Sequence, residues 1–174
     1  MLAFRVGSLL SAIPRLHGGL ISPHTLPSVN ARHVSVRTAM TASDEVVKAQ
    51  AAALRLLADD DESTIFDRII AKDIESTVVY EDELCLAFRD VAPQAPTHVL
   101  LIPKVRAGLT QIRRATDDHA TLLGHMMVQA GSIGVRECPD GFRLVINDGA
   151  QGAQSVYHLH IHILGGRQMT WPPG

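Results

Sequence analysis

Residues 156–164, with the sequence Val-Tyr-His-Leu-His-Ile-His-Ile-Leu, determine how the C-terminal half of the chain is interpreted. Apolar residues alternate with histidines, and a period of two is typical of a half-buried β-strand. Because side chains alternate between the two faces of a strand, we expect His158, His160 and His162 to share one face. The aliphatic residues that alternate with them then face the core. Packing does not require three imidazoles in a row, so this segment is the candidate functional site.

A loop rich in small residues precedes this strand. Residues 147–155 read Asn-Asp-Gly-Ala-Gln-Gly-Ala-Gln-Ser and end three residues before the first histidine. Such a loop can bring backbone N–H groups close to a phosphate. The hydroxyl of Ser155 and the imidazoles can then neutralise the charge that develops on the phosphate oxygens. The loop and the strand together predict a site for phosphate chemistry.

Two kinds of chemistry fit the three histidines, besides the simple alternative that they are tolerated on an exposed sheet face. Alternate histidines on a strand can bind zinc, and with an open water position they would suit a metal-dependent hydrolase. However, three alternate positions lie along a straight line, so at most two easily reach one ion. In the other interpretation one neutral imidazole is a nucleophile towards phosphorus, while its neighbours orient it and transfer protons. The small-residue loop favours the nucleophile.

The rest of the chain predicts an α+β domain. Apolar periodicity and capping residues indicate helices over Glu45–Ala58, over 64–72 and from Asp117 or Asp118 to about Glu137. Strand signals cover residues 77–80, 84–88, 99–102, 142–147 and 156–164. We therefore predict an antiparallel five-stranded sheet with a long helix and a short helix, the helices being packed on one face.

Composition separates a leader from this domain. Hydrophobic residues make up 46% and charged residues 20% of the 174 residues, as in globular proteins. No apolar run approaches the ~18 residues of a membrane span, and the net charge of −2 argues against a nucleic-acid binder. Residues 1–43 contain four arginines and no acidic residue, the composition of a mitochondrial transit peptide. We expect a leader at 1–43, a folded domain at 44–174 and a mitochondrial location.

Several segments resemble the histidine triad (HIT) family, and within it the nucleotide-binding branch. Residues 154–163 match the His-x-His-x-His signature, and residues 89–98, 141–147 and 164–174 extend the similarity. The resemblance covers about residues 45–174, and the basic leader makes the chain most similar to the mitochondrial member. It implies a homodimer that hydrolyses the P–N bond of adenosine 5′-monophosphoramidates to AMP and an amine, without metal or cofactor. The alternative is a nucleotide-binding regulatory or scaffold protein with incidental turnover.

The resemblance also implies roles for individual residues. His160 would attack the α-phosphorus and carry a nucleotidyl intermediate, and His162 would contact the phosphate. His158 and His98 would form the supporting proton relay. Ser155, with the backbone of Gln154 and Ser155, would hold phosphate oxygens or the leaving group. The implied nucleotide-binding residues are Ile65, Phe66, Ile69, Phe88 and Val91 for the purine, Asp90 for the ribose hydroxyls, and Asn147, Ala153, Gln154, Ser155, His160 and His162 around the phosphate.

Some expectations concern residues outside this set. Periodicity alone predicts that Phe66 and Ile69 belong to the core, and Ala153 stands where many family members have glycine. We expect the dimer to bury the long helix, and Trp171 to pack against another subunit or a ligand site. The other histidines, namely His17, His24, His33, His119 and His125, are expected to be exposed.

Overall fold

A computed structural model describes residues 44–56 and 63–173. In these ranges one antiparallel sheet has the strand order β1-β2-β3-β5-β4. The strands are β1 (Val78–Glu81), β2 (Cys85–Arg89), β3 (Thr97–Pro103), β4 (Phe142–Val145) and β5 (Ile161–Gly165), and the helices are α1 (Asp44–Leu56), α2 (Ile65–Ile70) and α3 (Ala120–Glu137). The predicted α+β class, with five antiparallel strands, a long helix and a short helix, is confirmed. The leader at 1–43, with its three histidines, lies outside the described residues.

The sheet has two differently used faces. On the face that we call the helix face, α3 covers a cluster consisting of Cys85, Ala87, Val99, Leu101, Met126, Ala130, Ile133, Ile161 and Ile163. On the other side, the cleft face, α2 contributes to a cluster consisting of Phe66, Leu86, Phe88, Leu100 and Ile102. The prediction that the helices pack on one face is therefore wrong. Because β2 and β3 are apolar at consecutive positions, both of their faces need a cover.

Helix α2 begins directly after Thr64, which was predicted to be its first residue. The Thr64 hydroxyl accepts a hydrogen bond from the Asp67 N–H (3.3 Å), and the Asp67 carboxylate accepts one from the Thr64 N–H (2.7 Å). This reciprocal capping box fixes the first turn of the helix. Phe66 is thereby directed into the cleft-face cluster.

Helix α3 begins later than the sequence predicts, because residues Asp117–His119 form a 3₁₀ turn. Two histidines expected to be exposed are half-buried in this region. The Thr116 N–H donates to His119 Nδ1 (3.0 Å), and His125 Nε2 lies 2.7 Å from Asp82 Oδ2. Both expectations are wrong, since each ring has a polar partner that local sequence does not reveal. No helix in residues 44–56 and 63–173 is long and apolar enough to span a bilayer.

Strand β5 is shorter than predicted and begins at Ile161 instead of Val156. Its pairing with β3 runs from Gly165 to Ile161, where the ladder ends. Upstream of that point the Leu159 N–H donates to the Leu109 carbonyl (2.9 Å), not to a neighbouring strand. In this irregular segment burial does not alternate, because His158, Leu159, His160 and Ile161 are all buried. Of the three histidines, His162 alone lies in a regular strand.

Candidate active site

A large cleft lies on the cleft face, opposite α3. It is bounded by α1, α2, the end of β2 and the loop at residues 147–156. All but two of the residues that the sequence singled out line it, namely Ile65, Phe66, Ile69, Phe88, Asp90, Val91, His98, Asn147, Ala153, Ser155, His160 and His162. The exceptions are His158 and Gln154, which are buried behind it. Phe66 and Ile69 thus border the cleft and also pack in the cleft-face cluster.

The hydrogen bonds of His160 define which of its ring nitrogens is free. Nδ1 lies 2.8 Å from the backbone carbonyl oxygen of His158. Since a carbonyl oxygen can only accept, Nδ1 carries the proton and Nε2 of the neutral ring keeps its lone pair. The ring is buried, and this burial lowers the pKa of His160 below its usual range. At neutral pH His160 therefore offers an unprotonated Nε2.

Hydrogen bonds also determine which ring nitrogens of His98 and His162 carry a proton. The Gln94 N–H donates to His98 Nδ1 (3.2 Å), so the proton of neutral His98 is on Nε2. That nitrogen lies 2.9 Å from His162 Nδ1 and donates to it. The proton of neutral His162 is then on Nε2, which is buried and has no hydrogen-bond partner among the described residues. An unsatisfied N–H donor therefore lies beside the nucleophile candidate, the ring centroids being 4.8 Å apart.

The electrostatics of the site keep these rings neutral. Burial, together with the neighbouring His160 and His98, lowers the pKa of His162 to about 3. Burial also lowers the pKa of His98, although the nearby Asp90 acts in the opposite direction. Asp90 Oδ2 is 3.5 Å from His98 Nε2, and its other oxygen accepts the Ala92 N–H (2.8 Å). Asp90 therefore supports the turn after β2 as well as lining the cleft.

His158 supports the site from behind. Its side chain is fully buried, and Nε2 lies 2.8 Å from the Pro103 carbonyl oxygen, which fixes a proton on that nitrogen. The ring of Phe66 packs edge-on against His158 and His160, with centroid distances of 5.8 and 5.3 Å. The structure thus places the His158 backbone carbonyl, and not its ring, in contact with His160.

The small-residue loop is braced by side-chain contacts that the sequence analysis did not predict. Asp148 accepts the Arg113 N–H (2.9 Å) and forms an ion pair with its guanidinium group. The Gln154 amide accepts the Gly149 N–H (2.9 Å) and donates to the Thr110 carbonyl (2.7 Å). The phosphate contact implied for Gln154 is one of its backbone and stays a prediction, while its side chain is committed to the loop. The presence of an acidic residue, Asp148, in a loop of otherwise small and neutral residues could have indicated this ion pair.

The rim of the cleft holds other residues whose importance the sequence did not show. Glu45, Lys48 and Arg55 lie along one side of α1 and line the cleft, and Lys48 donates to Glu45 (2.8 Å). Val91 and Trp171 are almost fully exposed, at 97% and 85%. Trp171 is therefore not packed against the other described residues, and its contact with another subunit or a ligand site stays a prediction.

Two groups of side chains in the described ranges could hold a metal ion. Asp90, His98 and His162 place their donor atoms within 4.8 Å of one another, and the second such group consists of Asp82, Cys85 and His125. In the first group His98 Nε2 and His162 Nδ1 already share a hydrogen bond. A cation there would replace that hydrogen bond and leave His160 outside the set of ligands.

A histidine-rich segment beside a braced small-residue loop, on the open face of a five-stranded sheet, defines a histidine triad protein. The HIT domain family matches residues 71–169, so the chain belongs to this family and the resemblance read from its sequence is confirmed.

Relatives and solved structures agree with this assignment. The "Adenylylsulfatase HINT1" of Arabidopsis thaliana is 51% identical over 148 residues, which are 84% of this chain and 97% of the relative. A "14 kDa zinc-binding protein" of Zea mays is 60% identical over 124 residues, 71% of this chain and 95% of the relative. The crystal structure of a HIT family hydrolase from Legionella pneumophila matches with a TM-score of 0.61 and 46% identity, covering 64% of this chain and 100% of that one.

Proposed function

We propose that this protein hydrolyses the P–N bond of adenosine 5′-monophosphoramidates through a covalent nucleotidyl intermediate on His160. The observation that carries the proposal is the proton order of the site. His160 has a free Nε2 because its Nδ1–H is bound to a backbone carbonyl, and the adjacent His162 has an unsatisfied Nε2–H. A nucleophile next to a fixed donor is suited to attack on a phosphorus atom whose oxygens need stabilisation.

In the proposed reaction His160 Nε2 forms a bond to the α-phosphorus while the P–N bond breaks. The leaving nitrogen takes the bonding electron pair and a proton, for which the Ser155 hydroxyl is the donor in the loop. His162 Nε2–H donates to a phosphoryl oxygen and stabilises its charge. Water then attacks phosphorus, the bond to His160 breaks, and AMP leaves. The proton from that water restores the hydroxyl, so the enzyme is unchanged.

The cleft also offers contacts for the nucleoside. Apolar side chains from α2 and β2 form a slot in which a purine ring can be sandwiched, and Phe66 and Phe88 pack edge-on within it at 5.6 Å. Asp90 lies at the end of this slot and has two acceptor oxygens, which suit a pair of ribose hydroxyls.

The test is hydrolysis of an adenosine 5′-phosphoramidate with a fluorogenic amine by the full chain in excess EDTA. We expect turnover, and a loss of at least ~10³-fold in His160→Ala, since removal of a covalent nucleophile costs that much. His125→Ala, which removes a half-buried histidine far from the cleft, serves as the matched control. Mass spectrometry of quenched enzyme should show a nucleotidyl adduct in the parent and none in His160→Ala.

Other outcomes would support other functions. Activity that is lost in EDTA and restored by zinc would indicate a metal-dependent hydrolase, for which the name of the maize relative is a reason to look. Binding of AMP without turnover would indicate a regulatory or scaffold protein. Because the Arabidopsis relative is named an adenylylsulfatase, adenylyl sulfate belongs in the substrate panel, and a higher kcat/KM for it than for phosphoramidates would contradict the proposed leaving group.

We also propose that the protein is a homodimer that buries α3. Three apolar side chains of this helix, Met127, Val128 and Val135, are 47–65% exposed in the single chain. The adjacent β4 is an edge strand with free backbone groups. Sedimentation should give twice the monomer mass for the parent and the monomer mass for Val128→Glu. Lys48→Glu, a charge change on α1, is the control and should leave the mass unchanged.

The proposed location is the mitochondrion, on the basis of the arginine-containing, acid-free leader. Residues 1–43 fused to a fluorescent protein should direct it to mitochondria. Replacement of the four arginines by glutamine should abolish this targeting, and diffuse fluorescence of the unchanged fusion would contradict the proposal.

A further inference from the structure

Asp67 uses its two carboxylate oxygens for different purposes. Oδ2 faces the start of α2, where it accepts hydrogen bonds from the Thr64 N–H (2.7 Å) and hydroxyl (2.8 Å). Oδ1 faces the interior, 3.4 Å from His158 Nδ1 and 3.6 Å from Arg106 Nε. Helix capping requires the first oxygen but does not explain the second.

His158 Nδ1 is a buried atom that needs an explanation. The other ring nitrogen is bound to the Pro103 carbonyl, so Nδ1 is the atom at which this ring gains or loses a proton. Nδ1 has no hydrogen-bond partner among the described residues, although Asp67 Oδ1 lies 3.4 Å from it. Such buried unsatisfied atoms are rare and often mark functional sites.

Charges from two elements meet at this atom. Burial lowers the pKa of His158, the carboxylate of Asp67 raises it, and the guanidinium of Arg106, which follows β3, lowers it. For Asp67 itself, burial acts to raise the pKa, but the Thr64 hydrogen bonds and the positive groups outweigh it and the pKa is lowered. Asp67 is therefore ionised and balances Arg106.

The ion pair of Asp67 and Arg106 is connected to the nucleophile candidate through His158 and Phe66. The carbonyl of His158 holds the Nδ1–H of His160, and Phe66, the neighbour of Asp67 on α2, contacts both rings. When His160 bonds to phosphorus and keeps its Nδ1 proton, its ring becomes positively charged. Without the Asp67 carboxylate the surroundings of His158 would carry one more net positive charge, which would oppose the charging of the His160 ring.

We propose that Asp67 is a positioning residue for His160, an inference that rests on the proposed function. Its negative charge offsets the positive charge of Arg106 beside His158. It also faces the one titratable nitrogen of His158, the residue whose carbonyl holds the Nδ1–H of the nucleophile.

The experiment compares Asp67→Asn with a matched control in the full chain. Asparagine keeps an oxygen for the Thr64 cap but removes the charge. We expect its kcat to fall about tenfold while KM stays within about twofold, because the substrate does not touch this residue. Thr64→Ala removes the cap and keeps the carboxylate, so it should lower the melting temperature and leave kcat unchanged. Equal losses of kcat in both variants would overturn the proposal.

Two readouts separate positioning from a merely structural role. In the double variant Asp67→Asn with Arg106→Gln the net charge beside His158 equals that of the parent, so part of the lost kcat should return. NMR titration should show a His158 pKa about one unit lower in Asp67→Asn than in the parent, because a nearby anion favours the protonated ring. An unchanged His158 titration, or no recovery in the double variant, would overturn the proposal.

The proposed function and the role of Asp67 can fail separately in these experiments. If the parent does not turn over phosphoramidates, the proposed function fails, and the NMR titration still tests the control of His158 by Asp67. If the parent turns over and forms the adduct while Asp67→Asn keeps full kcat, the proposed function stands and the role of Asp67 is refuted.

Discussion

The helix face and the cleft face belong to the same strands but differ in how their polar atoms are satisfied. On the helix face the buried cluster consists of apolar side chains and Cys85, which pack beneath α3. On the cleft face β3 and β5 bring His98 and His162 into a buried environment beside Leu100. Over the described ranges, the buried side-chain atoms without hydrogen bonds are Thr110 Oγ1, His158 Nδ1 and His162 Nε2.

All three of these atoms lie at the cleft or in the segments that support it. A leftover buried polar atom costs folding free energy, of the order of 1–3 kcal/mol. The helix face stabilises the domain, and the cleft face holds polar groups that remain available to a ligand. Polar substitutions on the helix face should therefore destabilise the domain. Substitutions that change the shape of the cleft face should impair ligand binding.

The largest expected effect concerns the unsatisfied donor of the cleft face. His162→Ala removes the N–H that we propose to stabilise the phosphoryl oxygens and should lower kcat on the order of 10³-fold. His162→Gln keeps an amide N–H near the position of Nε2 and should recover part of this loss. Steady-state kinetics on the fluorogenic phosphoramidate measures both, and equal kcat values for the two variants would contradict the donor role.

The next comparison uses neighbouring residues of β3 that face opposite sides. Leu101 belongs to the helix-face cluster, and Leu101→Ala should lower the free energy of unfolding by about 3 kcal/mol. Leu100 lines the cleft, so Leu100→Ala should cost less stability and raise KM severalfold. Urea unfolding and kinetics on both variants decide the matter, and a larger KM change in Leu101→Ala would break the distinction between the faces.

A third effect is the dependence of stability on pH. Burial lowers the pKa values of His98, His158, His160 and His162 in the folded protein, that of His162 to about 3. The unfolded chain therefore binds more protons below about pH 6.5, and the free energy of unfolding falls as the pH drops from there. We expect a loss of at least about 1 kcal/mol between pH 7 and pH 5.

In this pH range the carboxylates contribute little, because their unfolded pKa values lie near 4. Chemical unfolding at several pH values measures the loss. His162→Gln should show a smaller loss than the parent, whereas an identical pH dependence in both proteins would refute the assignment to this ring.

The smallest expected effect lies in the loop. Ala153 has a left-handed backbone with a φ of 58°, a conformation that costs a residue with a Cβ about 1–2 kcal/mol. Glycine would remove this cost but make the unfolded chain more flexible, so Ala153→Gly should raise the free energy of unfolding by less than about 1 kcal/mol. Ala150→Gly, in the same loop without a positive φ, should lower it. The reverse order would show that the loop is not strained at Ala153.

The α+β class, the five strands and the grouping of the histidines could be predicted from periodicity and motif spacing. The start of β5 could not, because a strand ends where its partners end. Residues 158–160 continue the alternation of histidine and aliphatic residues in the sequence, but the ladder with β3 stops at Ile161. The sequence also did not predict which face of the sheet each helix covers, since consecutive apolar residues such as Leu100 and Leu101 make both faces apolar.

Contacts between distant segments account for the remaining gaps in the site. Arg113 and Asp148 are 35 positions apart, and their ion pair braces the loop. Gln154 was identified by its place in the motif, yet its amide is bound to Thr110, 44 positions away. The purine slot and Asp90 were implied by the family resemblance and would have been read only as core and turn from their local patterns.

The hydrogen bond from Gln94 to His98 has a consequence for product release. A backbone N–H can donate but cannot accept, so the proton order through His98 and His162 cannot reverse while that bond is present. The unliganded cleft therefore always presents the His162 Nε2–H donor, which favours anions whatever their leaving group. In the proposed reaction AMP retains the phosphate that this donor would bind, whereas the amine retains no group that it would recognise. The amine should therefore leave first, and accumulated AMP should compete with fresh substrate.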